Sequence, residues 1–320
     1  MENKFITLGC RLNTFESEVI KEELQKNNIT GKIIINTCAV TEKAEKDSIR
    51  QIKKLKKLFP NKEILVTGCA VHTALDQLKS MPEVSRIIDN SNKLSVTSFA
   101  KKDNIKEVAS VAVNASVNIS STKQKDYTSN TLNTKNTIKE NVNSINTTSL
   151  DNYKNTSNIQ ITTATSYNIP LLSRFNNRTR GFVQIQQGCD HRCSFCIIHK
   201  SRGKSFSLDQ SAIINQVNIL VNNGYKEITL TGVDISSWQR DIFSNSKSKL
   251  GELCYTILKA VPNLKRLRLS SLDPAVEDDT LLKLLREEER FMPHLHLSLQ
   301  SMNNNVLNNM GRRHSKESAI

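Results

Sequence analysis

No apolar run in this 320-residue chain approaches the ~20 residues that a membrane-spanning helix needs, which excludes a helical membrane anchor within it. A secretory leader is not expected either. The N-terminus, MENKFITLG, starts directly on a strand-like run. The expected compartment is therefore the cytoplasm, where thiols stay reduced and structural disulfides are not expected. Large apolar residues are scarce over one stretch, Lys101 to Asn168, which is dominated by Asn, Ser and Thr and has no sustained period. Such a segment cannot bury enough surface to fold alone. Residues 101–175 are accordingly expected to be a linker or disordered insertion between domains at 1–100 and 176–320. Triplets such as Asn146-Thr-Thr are chance products of that composition. A β-like piece at Ile159–Thr165 has no identifiable partner. Acidic charge is in short supply as well: 45 Lys and Arg stand against 31 Asp and Glu, a net charge of +14. That surplus suggests a polyanionic partner, although Lys, Asn and Ile are heavily used throughout.

A fourth cysteine is missing where three stand close together. In GCDHRCSFCIIHKSRGK, Cys189, Cys193 and Cys196 have the spacing C-x3-C-x2-C. Four thiolates would close a structural zinc site or an electron-transfer cluster, whereas three leave one position open. Two readings compete. One is a zinc knuckle with His199 or His191 as fourth ligand. The other is the S-adenosylmethionine (SAM) radical loop CxxxCxxC, which has an aromatic residue before its last cysteine; Phe195 stands there. The strand–loop–helix context and the absence of a second ligand pair favour the latter.

Three more cysteines follow a different rule. FITLGC, KIIINTC and EILVTGC are short β-branched runs ending at Cys10, Cys38 and Cys69, which stand 28 and 31 residues apart. A helical pattern follows each: Phe15, Val19, Ile20 and Leu24 share one face, and Ile49, Ile52, Leu55 and Phe59 another. A shorter helix runs to about Ser80. Strands alternating with helices give a parallel sheet. The three cysteines then lie past the carboxyl ends of their strands, the edge where open α/β sheets bind ligands. They are predicted to converge into a second three-thiolate site, the alternative being three separate buried cysteines. The helix over about Glu42–Leu58 carries Lys43, Lys46, Arg50, Lys53, Lys54, Lys56 and Lys57, either a solvated face or one that contacts phosphates.

A second α/β unit starts near Arg178. GFVQIQQG is a strand leading into the cysteine loop, Leu208–Val221 a helix and Glu227–Val233 a strand. The run from Leu250 to Val261 is a helix whose apolar face includes Cys254, which is a core residue and not a ligand. LKRLRLSSL is a third strand and Val276–Arg290 a third helix. HLHLSLQ alternates His294, His296, Ser298 and Gln300 with leucines, so one face should look into a polar cavity. The two histidines are either hydrogen-bonded without chemistry or catalytic. A last helix begins near Asn303.

Taken together, LGCRLNTFESE, INTCAVTEKAEKDSIRQIKK, VTGCAV, RTRGFVQIQQGCDHRCSFCII, LTGVDISSW, LRLSSLDP and HLHLSLQS followed by MGRRHS resemble the radical-SAM methylthiotransferases. Within that family the chain looks most like the branch acting on threonylcarbamoyladenosine in tRNA. The resemblance implies an α/β fold: an N-terminal parallel-sheet, flavodoxin-like domain, then a partial (β/α) radical-SAM barrel ending after about four strands. It implies two 4Fe–4S clusters, one on Cys189, Cys193 and Cys196 and an auxiliary one on Cys10, Cys38 and Cys69. It implies SAM as cofactor, bound near Phe195, Thr231, Gly232, Asp234, Ser271 and Gln300. The radical formed from SAM would abstract hydrogen from carbon-2 of the modified adenine, a C–H too inert for acid–base catalysis. The implied partners are a tRNA anticodon arm, an unidentified electron donor and an unidentified sulfur source, with no membrane. Arg178, Arg180, Arg192, Lys200, Arg202 and Lys204 would suit an RNA backbone.

The chain departs from the family in IIHKSRG, where a Pro-Tyr-Gly-Arg-Gly-like run is usual, and in SLQSMNNN. Members of the family also continue for about another hundred residues, including an RNA-binding domain expected to be absent here. Two other functions follow from the same residues: an inactive iron–sulfur or zinc-binding RNA-binding remnant, or a ribosomal-protein methylthiotransferase.

Overall fold

A computed structural model describes residues 2–100, 169–239, 249–275 and 278–320. The β-like piece at 159–165 and nearly all of the Asn/Ser/Thr-rich stretch lie outside the described residues.

The N-terminal half is a four-stranded parallel sheet in the order β1 (Lys4–Thr7), β2 (Ile33–Thr37), β3 (Ile64–Gly68), β4 (Arg86–Ile87). Its register pairs Phe5 with Ile34 and Ile34 with Leu65. Both central strands are buried at every position, as helices on both faces of a parallel sheet require. Helix α1 (Arg11–Lys26) buries Phe15, Val19, Ile20 and Leu24, the face that its spacing predicts. Helix α2 (Glu42–Leu58) starts where the Thr41 side chain accepts the Ala44 N–H at 3.1 Å, with Glu42 and Glu45 in its first turn and Lys56 and Lys57 in its last. Both arrangements complement the helix ends. Ile52 and Leu55 face the sheet, while Lys43, Lys46, Arg50, Lys53, Lys54 and Lys57 are exposed. The short helices α3 (Ala70–Thr73) and α4 (Leu75–Ser80) complete this half.

The second half is built on a parallel sheet of β5 (Arg180–Gln184), β8 (Glu227–Thr231) and β9 (Arg266–Leu269). The hairpin β6 (Gln186–Gln187) and β7 (Phe206–Ser207) closes the cysteine loop, which holds helix α5 (Ile198–Arg202). Helices α6 (Gln210–Asn222) and α7 (Leu250–Ala260) cover the outer face. Cys254 is fully buried in α7, as expected of a core residue. The third helix is shorter than its pattern suggests. It runs Asp279–Glu287 (α8) because Asp278 caps it, accepting from Leu281 N–H at 2.9 Å. The fourth strand shrinks to β11 (His296–Leu297), paired with β10 (Ser271–Leu272), so the alternation in HLHLSLQ is regular strand over two residues only. Helix α9 (Asn304–Asn309) follows.

One boundary moves. Composition assigned residues up to 175 to the linker, yet Leu172 and Phe175 are buried. Gln216 pairs with both backbone groups of Leu172 at 2.8 Å, and the Tyr225 hydroxyl bonds Phe175 N–H at 2.7 Å and Phe175 C=O at 3.0 Å. The Phe175 ring lies 6.5 Å from Phe15 and 5.6 Å from Phe182. A single apolar cluster therefore runs from α1 through Phe175 into the second sheet.

Candidate metal centres and the cavity between them

Cys10, Cys38 and Cys69 stand at the carboxyl ends of β1, β2 and β3, at one edge of the first sheet. Their approach is fixed by the backbone just before them. The Asn13 side chain donates to Leu8 C=O at 2.7 Å and Thr37 C=O at 2.9 Å, which ties the first two strand ends together. Thr37 Oγ1 donates to Thr67 C=O at 2.6 Å and accepts the Ala70 N–H at 3.3 Å, which ties the second to the third. Gly9 has φ +93°, and a Cβ there would sit 2.7 Å from Cys38 Sγ, so only glycine lets the first loop approach the second cysteine. Burial pushes the Cys38 thiol up, and the neighbouring sulfurs of Cys69 and Cys10 add to it.

The second triad lies in the loop after β6. Burial pushes Cys189 up to about 12, with Asp234, Cys196 and Cys193 contributing, and burial and Cys193 raise Cys196. Cys189 and Cys196 thus lie close enough to each other and to Cys193 for their charges to interact, and a bound cation would offset that repulsion. Arg312 supplies positive charge from the other side, with Nη1 3.8 Å from Cys193 Sγ. The loop is closed at Gly188, with φ +71°, where a Cβ would lie 1.8 Å from the Lys204 carbonyl oxygen. Gly188→Ala is expected to destabilise the protein by more than about 1 kcal/mol and to lower iron uptake by this loop, as read by thermal melting and iron analysis.

The remaining predicted contact residues fall into two groups. Thr231, Gly232 and Asp234 are brought against the cysteine loop by Gln186, which sequence reasoning missed. Gln186 Oε1 accepts Val233 N–H at 3.0 Å and Asp234 N–H at 2.7 Å, and its Nε2 donates to Gln187 and Gly188 carbonyls at 2.9 and 2.8 Å. A Cβ on Gly232 would meet Gln186 O at 2.8 Å. Asp234 Oδ2 stands 2.9 Å from His191 Nε2, and ligand atoms of Cys189, His191 and Asp234 all lie within 4.8 Å of one another. That grouping keeps a zinc-type donor set on the page, but it draws on only one of the loop's three cysteines. His199 lies outside it, with Nδ1 buried and unpartnered. The other group is looser. Phe195 and Gln300 are exposed, and Ser271 Oγ is taken up by His296 Nδ1 at 2.9 Å.

The two triads are joined by charges that the sequence did not reveal. Glu16 of α1, Lys93 and Arg202 of α5 are all essentially fully buried. Glu16 holds Arg202 Nη1 at 2.5 Å through Oε1 and Lys93 Nζ at 2.5 Å through Oε2. Arg202 also donates to Gln187 Oε1 at 3.2 Å and to Asn13 Oδ1. The guanidinium thus sits between the cysteine loop that carries it and the sulfurs of Cys69 and Cys10, whose charge, after that of Glu16, reinforces its protonation against the effect of burial. This corrects the expectation that Arg202 meets an RNA backbone: its charge is consumed inside the protein. Arg180 is likewise partly engaged, 3.4 Å from Glu227.

Between Cys10 and the inner face of the second sheet lies a cavity of about 600 Å³, lined by Arg178, Arg180, Phe182, Arg268 and His294 among others.

Comparison with known proteins bears on this arrangement. Residues 3–89 match the uncharacterized protein family UPF0004, and residues 183–320 match the radical SAM superfamily. The chain is 35% identical over 320 residues to a threonylcarbamoyladenosine tRNA methylthiotransferase, MtaB, of Rickettsia prowazekii (strain Madrid E), covering 100% of this chain and 64% of that one. It is 28% identical to a tRNA-2-methylthio-N(6)-dimethylallyladenosine synthase of Helicobacter acinonychis (strain Sheeba), covering 97% and 62%. The chain carries a radical SAM region and is similar along its whole length to methylthiotransferases. It spans less than two thirds of the length of these two relatives. Among solved structures, the radical S-adenosylmethionine methyltransferase TsrM from Kitasatospora setae superposes with a TM-score of 0.56 at 12% identity, over 99% of this chain and 64% of that one, a likeness of fold. The radical SAM region implies SAM and a 4Fe–4S cluster. The cysteine loop fits that group: three mutually interacting sulfurs, an arginine beside them and a fourth position left open. Among the described residues, no helix is long and apolar enough to cross a membrane.

Proposed function

We propose that the chain carries the catalytic core of a tRNA methylthiotransferase that converts N6-threonylcarbamoyladenosine beside the anticodon to its 2-methylthio derivative. The observation that carries this reading is the pairing of two cysteine triads across one buried ion network, Glu16, Lys93 and Arg202. Cys189, Cys193 and Cys196 would hold the SAM-binding cluster, and Cys10, Cys38 and Cys69 a second, auxiliary cluster. When bound and reduced, the first cluster supplies the electron that cleaves SAM. The chain's own residues do the rest. Gln186 fixes the Thr231–Asp234 turn beside the loop, where Thr231, Gly232 and Asp234 would meet SAM. Phe195, Ser271 and Gln300 would complete the contact from the rim. Asn13 and Thr37 hold the auxiliary cysteines at one edge. Arg202 offsets negative charge at Cys10, Cys38 and Cys69, and Arg312 does so at the 189–196 loop.

The partner would be a tRNA anticodon arm, whose unstacked bases are what such a cavity can admit. A sulfur source and an electron donor are required, and the setting is the cytoplasm. Mass spectrometry of tRNA nucleosides from cells with and without the gene tests the reading. Loss of 2-methylthio-threonylcarbamoyladenosine on deletion is expected; an unchanged level would sink it, and loss of a ribosomal-protein methylthio group instead would move the activity to that substrate.

A further inference from the structure

The inner face of the second sheet carries chemistry that neither cluster uses. Strand alternation puts Arg180, Phe182 and Gln184 of β5 on one side, in register with Glu227, Thr229 and Thr231 of β8. Arg266 and Arg268 of β9 continue the first two rows. Glu227 is nearly buried and is shared by three guanidinium groups: Arg268 at 2.7 Å, Arg266 at 2.8 Å and Arg180 at 3.4 Å. One carboxylate cannot neutralise three arginines. Arg178, stacked over the Phe182 ring at 5.6 Å, and Arg11, next to Cys10, add further positive charge to the same cavity. One row further toward the cysteine loop stands Gln184, 2% exposed, with both its amide oxygen and its amide nitrogen buried and without a hydrogen-bond partner. A buried carboxamide with donor and acceptor both open is complementary to another amide edge. The guanidinium groups therefore stand at the open end of this face, with Phe182 and then the buried Gln184 behind them.

Resting on the function proposed above, we propose that this cavity reads the substrate's side chain. Arg268 and Arg180 would clamp the carboxylate of an N6-(aminoacyl)carbamoyl adenine nucleoside. A volume of about 600 Å³ has room for one modified nucleoside, whose N6 substituent ends in a carboxylate. Guanidinium forks match carboxylates in two-point geometry. An apolar N6 substituent of the dimethylallyl kind would cover the same arginines without supplying the second anion they lack, so the site discriminates by repelling it as well.

Equilibrium binding to the reconstituted chain tests this with three probes: N6-threonylcarbamoyladenosine, its methyl ester and N6-dimethylallyladenosine. The free acid is expected to bind roughly tenfold to a hundredfold more tightly than the ester. In Arg268→Gln that preference should vanish, with the ester's affinity unchanged. Arg180→Gln, whose side chain is 61% exposed and so least able to disturb folding, should reduce the preference in the same direction. Equal binding of acid and ester by the unaltered protein, no binding of either, or a preference that survives in both variants would overturn the proposal. So would an unmodified anticodon stem-loop that loses as much affinity in Arg268→Gln as the modified one, since the arginines would then be reading phosphate. The two levels separate cleanly. An Arg268-dependent preference without any methylthio product supports the cavity and removes the activity; product made equally from acid and ester does the reverse.

Discussion

Glu16→Gln is expected to lower the stability of the folded chain by about 3–5 kcal/mol, the usual effect of removing one partner from a buried ion network. In a chain of this size that is a fall in melting temperature of roughly 10 °C. The reason is local and severe. Lys93 and Arg202 are buried, and Glu16 is the carboxylate that both of them contact. Without it, two cations remain in a low-dielectric interior with only amide oxygens to bond. The effect should reach both halves at once, because Glu16 belongs to the first α/β unit and Arg202 to the cysteine loop of the second. Burial alone would raise the Glu16 carboxyl, but Arg202 and Lys93 overcome it and hold it below the ordinary value. The unfolded chain then takes up the proton first as pH falls. This stability is complete above about pH 4.3 and is lost as the pH drops further. Thermal melts of the metal-free protein across pH 3 to 7 should show a steeper acid slope in the native sequence than in Glu16→Gln, where Glu22, Asp89, Glu227 and Asp273, also held below their ordinary values, still contribute. A loss under about 1 kcal/mol would mean that the network is open to water and joins nothing.

The second large effect is a division of labour between the cysteines. Reconstituted without oxygen, the protein is expected to bind about eight irons, and Cys69→Ala and Cys193→Ala about four each. Cys193→Ala should abolish reductive cleavage of SAM. Cys69→Ala should retain it and lose the 2-methylthio product to background. Cys69 is buried at the end of β3 and Cys193 is buried within the loop, and each exchange removes one sulfur, so the fold should survive and the readouts remain interpretable. Zinc in place of iron at the 189–196 loop, drawn by Cys189, His191 and Asp234, would defeat the radical reading for this chain. Loss of SAM cleavage in Cys69→Ala would defeat the separation of roles.

Much of the fold was legible because it is written in short periods. β-branched runs ending in cysteine marked β1, β2 and β3, and the spacings of Phe15, Val19, Ile20 and Leu24 marked the buried face of α1. Cys254 was placed in the core by its i, i+4 partners, and the structure buries it completely. Composition was a poorer guide at the edges. Residues 169–175 directly follow a polar stretch with no sustained period, yet Leu172 and Phe175 anchor the segment through Gln216 and Tyr225. HLHLSLQ alternates over seven residues, but only two of them pair with a neighbour, because alternation shows which way side chains point and not whether a partner strand is present.

The sequence by itself determined the two triads, the order of strands and helices, and the likeness to methylthiotransferases. Those depend on local spacing and on residue types that permit few alternatives, such as three thiolates in eight residues. Only the tertiary structure decided what the charges do. Arg202 reads as a surface base in a basic run and is instead a buried neighbour of Glu16, 186 residues away in the chain. Gln184 and Gln186 look alike in QIQQG, yet one is fully bonded and the other has no partner. Arg180, Arg266 and Arg268 meet over a single carboxylate only because three parallel strands put them on one face. A charge carries no period. Whether it faces water, a ligand or another charge depends on long-range proximity, which is settled when the chain closes on itself.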